Sequence, residues 1–297
     1  MGRALEEKIA SGAVKREDLF ITSKLWNNFH RPELVKKGVQ ESLAQLRLSH
    51  LDLFLIHFPV AFRPDVTEAT SPDEVEAVPL EDTWRAMEAL VDEGLVKNIG
   101  VSNFEIEHLQ RIQAVATKPI AVNQFETQPY YQRAPLVGYC QAHGIVVTAH
   151  TSLGSPGNVM KGHHASPPLM QDPVVNKVAA EVGRAPANVL LRWAVQRGTI
   201  VLPKSVTAAR IVANADVFSF ELSDAQMAAI NGLDKPGLEG CFNRACRRRS
   251  RSPPGASLPP APPLPPSLFP PPHATDPKTP WLGRGEFKPG QSAHYYQ

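Results

Sequence analysis

Six short apolar runs, separated by amphipathic stretches, constrain this chain more than any other feature. They are Leu19–Ser23, Leu53–Ile56, Asn98–Val101, Ile120–Asn123, Ile145–Ala149 and Thr199–Leu202. Each is aliphatic or β-branched without two-residue alternation, the pattern of strands covered on both faces. The stretches between them carry helical spacing. In "PELVKKGVQESLAQLRL", Pro32 stands at a helix start, and Val35, Val39, Leu43 and Leu46 follow at three- to four-residue intervals. "LEDTWRAMEALVDEGLV" places Trp84, Met87, Leu90 and Val91 on one stripe before a stop at Gly94. "EIEHLQRIQAVA", "APLVGYCQAHG" and "DPVVNKVAAEVGR" behave in the same way. This alternation requires parallel strands joined by right-handed crossovers. The fold class is α/β, either a doubly wound sheet or a β/α barrel.

The strand ends decide between the two. Lys24 follows "LFITS", His57 follows "LFLI", and Ser102-Asn103 follow "NIGV". Gln124 follows "AVN", His150 follows "VVTA", and Lys204-Ser205 follow "IVLP". In a β/α barrel such ends converge on one face, which carries the chemistry. No Gly-x-Gly-x-x-Gly follows the first run, which weighs against a doubly wound dinucleotide fold.

Composition narrows the function classes. With 297 residues, 42% hydrophobic and 20% charged, the chain suffices for one large domain. A net charge of +2 gives no ground for a nucleic-acid or acidic-membrane partner. The first residues lack the apolar core of a secretory leader, no stretch is long enough to span a bilayer, and a cytoplasmic protein is expected. Cys140, Cys241 and Cys246 lack metal-ligand spacing and suit free thiols. His163-His164 lack i, i+4 spacing and read as loop rather than metal ligands. Many of the 29 prolines crowd into "PPGASLPPAPPLPPSLFPPP", Pro253–Pro272, which can form neither helix nor ladder. The folded body is therefore expected over residues 1–243, with a disordered Pro/Arg-rich tail over 244–297.

The strings "LFITSKLW", "LDLFLIHFP", "LVKNIGVSNF", "AVNQFETQPYYQ" and "VLPKSVTAARI" resemble, in order and spacing, the aldo-keto reductase family. The resemblance implies a (β/α)8 TIM-type barrel and an NADP(H)-dependent reductase, without metal, that converts aldehydes or ketones to alcohols. It implies a monomer with a small carbonyl substrate. Carried over residue by residue, Lys24 would lower the pKa of a catalytic tyrosine, and His57 would orient the substrate carbonyl. Trp26 would line the substrate pocket. Ser102, Asn103 and Gln124 would hold the nicotinamide carboxamide, with His150, Leu153 and Ser155 also at the cofactor. Lys204, Ser205, Val206, Thr207 and Arg210 would grip the 2′-phosphate end, and Asn214 would touch the adenine.

Departures from the family pattern set the competing expectations. About six strands are countable rather than eight, and "MGRALEEKIASG" resembles the helix after the family's second strand. The resemblance thus lacks its N-terminal part, and with it the catalytic aspartate and tyrosine. The tyrosines are Tyr130, Tyr131, Tyr139, Tyr295 and Tyr296, and none follows an early strand. Losing a general acid costs about 10²–10⁴ in rate. A catalytically impaired NADP-binding relative is therefore the alternative. His150 replaces the family's stacking tyrosine, and Ala213 replaces an acidic residue near the adenine. A third reading is an adaptor acting through "LPPAPPLPP" or the basic run Arg247–Arg251, "RRRSR".

Overall fold

The computed structural model describes residues 1–155, 167–235, 237 and 240–242. His163-His164, the basic run and the proline-rich tail lie outside the described residues. The described residues divide into two compact units, Met1–Phe125 with Ala134–Thr148, and Glu126–Arg133 with the described residues from Ala149 onward.

Strands β1 (Thr22–Leu25), β2 (Leu51–Ile56), β5 (Val96–Ser102), β6 (Val122–Glu126), β7 (Val146–His150) and β8 (Thr199–Val201) form one sheet of six, in the order β1-β2-β5-β6-β7-β8. β1 pairs in parallel with β2, β2 with β5 and β5 with β6. A short antiparallel hairpin, β3 (Ala61–Phe62) and β4 (Val75–Glu76), interrupts the alternation between β2 and the helix Leu80–Asp92.

Four strands reach further than their apolar runs. β1 starts at Thr22 and contains Lys24; β5, β6 and β7 contain Ser102, Gln124 and His150. A hydrophobic run stops at its first polar side chain, whereas the backbone ladder is indifferent to side-chain polarity. Lys24 accordingly pairs with Leu55, and Ser102 with Gln124.

In the first unit the strands are covered on both faces. Leu25, Phe54, Ile56, Ile99, Val101 and Phe125 pack with helix residues Val35, Val39, Trp84, Met87, Leu109 and Ile112. The alternate residues Leu53, Leu55 and Val122 form a separate cluster. Pro32 occupies the first turn of helix Pro32–Leu46, and Gly94, at φ 71°, ends helix Leu80–Asp92. At Gly100 an added Cβ would lie 2.5 Å from the Val122 carbonyl oxygen, so only glycine permits the β5–β6 approach. At the N-terminal end of β2, buried Asp52 accepts from the Ile21 N–H and pairs with Arg16 and Lys97, each at 2.8 Å. That network lies at the strand end opposite His57 and reads as structural.

In the second unit, Asp172 caps helix Pro173–Val182 by accepting from the N–H groups of Val174 and Val175. Helical spacing does not mark helix Pro186–Gln196, because Asn188 through Ala194 are all buried and leave no exposed polar stripe. The buried Glu126 carboxylate accepts from the Phe242 N–H at 2.6 Å and the Cys241 thiol at 3.3 Å. Gln128 donates to the Gly240 carbonyl at 2.7 Å. These bonds tie residues 240–242 to the loop after β6. Among the described residues no helix is long and apolar enough to cross a membrane.

Candidate functional site

Parallel register carries the C-terminal ends of β1, β2, β5 and β6 to one level in the first unit. Lys24 stands beside Leu55, Ile56 beside Val101, and Val101 beside Asn123. Successive side chains of a strand alternate faces. Lys24 and Leu55 therefore share a face, while Leu25 and Ile56 point into the helix-covered core. His57 lies two positions beyond Leu55 and extends the pairing, its N–H donating to the Leu25 carbonyl at 3.1 Å.

Hydrogen bonds lock the strand ends together. The Asn103 side-chain amide donates to the His57 carbonyl at 3.0 Å and to Ser102 Oγ at 3.1 Å. Ser102 Oγ donates to the Gln124 carbonyl at 2.8 Å, and the Asn103 N–H donates to the same oxygen at 2.8 Å. Asn103 holds φ at 63°, a left-handed conformation that asparagine tolerates better than most residues. Ser102 and Asn103 do not cap the following helix. Glu105 is its N-cap, and the Glu105 N–H is satisfied by His108 Nδ1 at 3.1 Å.

Around His57 the walls are aromatic. Its ring stacks on Phe58 at 4.7 Å and meets Trp26 edge-on at 4.8 Å. Trp26 in turn faces Phe58 at 6.0 Å and Phe62 at 6.4 Å, and its indole N–H donates to the Thr67 carbonyl at 2.6 Å. Burial, then the charges of Lys24 and His30, lower the His57 pKa to about 4, so the ring is neutral at pH 7. Burial also lowers the Lys24 pKa. Neither the Lys24 ammonium nor the His57 ring has a hydrogen-bond or ion-pair partner among the described residues. The Gln124 side-chain amide, buried, is likewise unspent.

Several residues beside this cluster escape a reading of strand ends. Phe58 and Phe62 form the aromatic wall, for which the only signal is the aromatic density of "HFPVAF". The short turn Asn27–Phe29 buries Asn27, Asn28 and His30. Asn27 Oδ1, Asn28 Oδ1 and both His30 ring nitrogens have no hydrogen-bond partner among the described residues, while the His30 carbonyl accepts from Thr83. No periodicity marks such groups, because their burial arises from tertiary contact.

The second unit carries the remaining predicted residues. His150, buried at the end of β7, places Nδ1 2.9 Å from Thr151 Oγ1. Thr151, Gly154 and Ser155 adopt φ of 61°, 74° and 46°. Left-handed backbone at a β-branched residue costs about 1–3 kcal/mol and gathers at binding loops. Leu153 packs against the cluster containing Leu169 and Phe242. Beyond β8, Thr207 is the N-cap of helix Ala208–Ala215, and its N–H donates to Ser205 Oγ at 3.1 Å. Lys204, Val206, Thr207 and Arg210 are exposed, Ser205 and Asn214 half-buried. Neither Lys204 nor Arg210 has an ion-pair partner among the described residues.

The profile of the aldo/keto reductase family matches residues 1–235. Aldo-keto reductase family 1 member A1 of Gallus gallus is 43% identical over 240 residues, spanning 79% of this chain and 73% of that protein. The Homo sapiens protein of the same name is 42% identical, spanning 79% and 74%. An aldo/keto reductase of Synechocystis is 43% identical over 239 residues, spanning 79% and 73%. The solved structure of the aldose reductase from Schistosoma japonicum superimposes with a TM-score of 0.72 at 41% identity, covering 82% of this chain and 79% of that one. The parallel strand–helix architecture is thus of the TIM-barrel type, as the strand ends indicated. The chain belongs to the aldo/keto reductase family, whose members are oxidoreductases acting on carbonyls.

Proposed function

We propose that this chain is an NADP(H)-dependent reductase that exchanges hydride between nicotinamide and an aldehyde or ketone carbonyl, giving an alcohol. The observation that carries the reading is that Lys24, His57, Ser102, Asn103 and Gln124 stand at neighbouring strand ends, with the Ser102 and Asn103 side chains bonded to the Gln124 and His57 carbonyls. Taken unit by unit, the residues suit the groups of such a cofactor: in the first, Gln124 offers a buried side-chain amide to a carboxamide, and in the second, Lys204 and Arg210, exposed and without an ion-pair partner among the described residues, offer cations to a phosphate. A bound nicotinamide supplies the hydride. The protein's part is to hold the carbonyl and stabilise the negative charge that develops on its oxygen. The neutral His57 ring donates an N–H to that oxygen, and Lys24 brings a positive charge beside it. Trp26, Phe58 and Phe62 exclude water from the same place. The reading takes residues 1–243 as the reductase domain, acting as a cytoplasmic monomer on a small carbonyl compound.

A second reading, an NADP(H)-binding relative without turnover, is favoured by the tyrosines. The Tyr130 hydroxyl donates to Asp172 and the Tyr139 hydroxyl to Gln113, each at 2.7 Å, so neither is free to serve as the general acid. Two measurements separate the readings. NADPH absorbance is followed with a reactive aldehyde, and NADPH binding is followed by fluorescence quenching. Turnover supports the first reading; quenching without turnover supports the second. Lys204→Glu with Arg210→Glu is expected to weaken binding at least tenfold, since each hydrogen bond to a charged group contributes about 1.5–3 kcal/mol. Equal affinity in wild type and double variant rejects the assigned phosphate site.

A further inference from the structure

We infer that Arg31 and Glu76 are positioning residues for the aromatic cleft of the first unit. Their ion pair pins the β3–β4 hairpin, and the pinned hairpin sets the cleft's preference for ring-bearing over open-chain carbonyls. The inference rests on reading that cleft as the carbonyl site. It gives a role to two residues that touch neither substrate nor cofactor in that reading.

The hairpin needs an outside anchor. Each of its strands has two residues, with Ala61 paired to Glu76 and Phe62 to Val75. A two-stranded hairpin is at best marginally stable by itself. Within it, the Arg63 N–H donates to the Glu74 carbonyl at 2.9 Å, and the Glu74 carboxylate accepts from the Ser71 N–H at 3.0 Å. The bonds that fix it to the rest of the unit come from the stretch after β1. The Trp26 indole N–H donates to the Thr67 carbonyl at 2.6 Å, and the Asn28 amide to the Pro64 carbonyl at 3.3 Å. The third tether is Arg31, whose Nε donates to Glu76 Oε2 at 2.8 Å and whose Nη2 donates to Oε1.

This third tether differs from the other two. Trp26 and Asn28 bond to neutral backbone carbonyls, whereas Arg31 grips a carboxylate as a fork. Paired, charge-assisted bonds fix direction as well as distance. The side chains are 44% and 18% exposed, so breaking the pair leaves no charge stranded in the core. Arg63, the hairpin's own cation, pairs with Asp65 at 3.2 Å.

What the fork holds in place is the ring wall. Glu76 stands opposite Ala61, the neighbour of Phe62. Phe62 meets Trp26 at 6.4 Å, and Trp26 meets His57 at 4.8 Å. A displaced hairpin therefore carries off Phe62 and takes the acceptor from the Trp26 indole. Lys24 and His57 are unaffected, because both are bonded into the sheet. A ring-bearing substrate gains from rings already held in place, and a short open chain gains little. Loss of the fork thus acts on the binding of ring substrates and spares the chemical step.

The test compares the full chain with Arg31→Gln, Glu76→Gln, the double variant and Arg31→Lys. Hydrogen exchange of the unliganded proteins is followed by mass spectrometry over residues 61–76 and over β2. Exchange over 61–76 should speed up about three- to fivefold in the Gln variants, the range of an ion pair of this exposure, with β2 unchanged. The double variant should exchange no faster than either single one, and Arg31→Lys should fall between. With NADPH, the KM for benzaldehyde should rise by a similar factor, while its kcat and both constants for propionaldehyde hold. Ligand-observed NMR of benzyl alcohol reads the same loss of affinity without cofactor or turnover. Unchanged exchange over 61–76 overturns the proposal. So does faster exchange with benzaldehyde selectivity and benzyl alcohol affinity unaltered. Where a Gln variant fails to fold, wild-type exchange at about 0.05 M and about 0.5 M salt decides, since a hairpin indifferent to salt is not held by the fork. Faster exchange and weaker benzyl alcohol binding in a protein that never turns over retain the fork and remove the reductase reading. Turnover with unchanged exchange does the reverse.

Discussion

Acidification should destabilise this protein through two buried imidazoles, well above the range where carboxylates titrate. Burial lowers the His30 pKa from 6.5 to about 4, and burial with the charges of Lys24 and His30 does the same for His57. The folded state therefore favours the neutral rings. The stabilisation is complete above the unfolded pKa near 6.5 and is lost as pH falls toward 4, because only the unfolded chain binds the protons in that window. At pH 5 each ring costs about 1.4 kcal/mol for each of the 1.5 pH units below 6.5, or about 2 kcal/mol, and the pair about 4 kcal/mol. His30→Gln should remove about half of that loss. The assay is urea unfolding at pH 7 and pH 5 for both proteins. With a slope of about 1–3 kcal/mol per molar, wild type should lose on the order of 1 M more in midpoint than the variant. Asp52, Glu74, Glu76 and Glu81 have lowered pKa values, so their contribution is lost only at lower pH and cancels in the difference. An equal loss in wild type and His30→Gln, or a wild type as stable at pH 5 as at pH 7, refutes the reasoning.

Other outcomes follow from packing in the second unit. Gly240→Ala would place a Cβ 1.7 Å from the Tyr130 carbonyl oxygen, so the 240–242 segment must lift away from Glu126. A loss of about 1–3 kcal/mol is expected, measured by thermal unfolding together with faster proteolysis near residue 240. Asp172→Ala removes a helix cap and the acceptor of the Tyr130 hydroxyl, and should cost about 2–3 kcal/mol. Tyr130→Phe should cost about 1 kcal/mol, and the double variant less than the sum of the two, as a denaturation cycle would show.

How far the chain's text reaches can be judged element by element. The alternation of apolar runs and amphipathic helices requires a parallel, two-faced sheet, since no other arrangement buries such strands on both sides. Lys24, His57, Ser102, Asn103 and Gln124 are legible because each stands where an apolar run stops. The helix Pro186–Gln196 is not, because full burial erases the stripe that marks a surface helix. The hairpin of residues 61–62 and 75–76 is too short for its periodicity to register.

Tertiary structure alone decides the rest. It leaves Lys24 without a counter-charge among the described residues, closes aromatic rings around His57, leaves both ring nitrogens of His30 without hydrogen-bond partners among the same residues, and bonds Glu126 to Cys241 and Phe242. Residue type and spacing are local properties of a chain. Desolvation and electrostatic neighbourhood depend on segments distant in sequence, and those are what lower the pKa of Lys24 and His57.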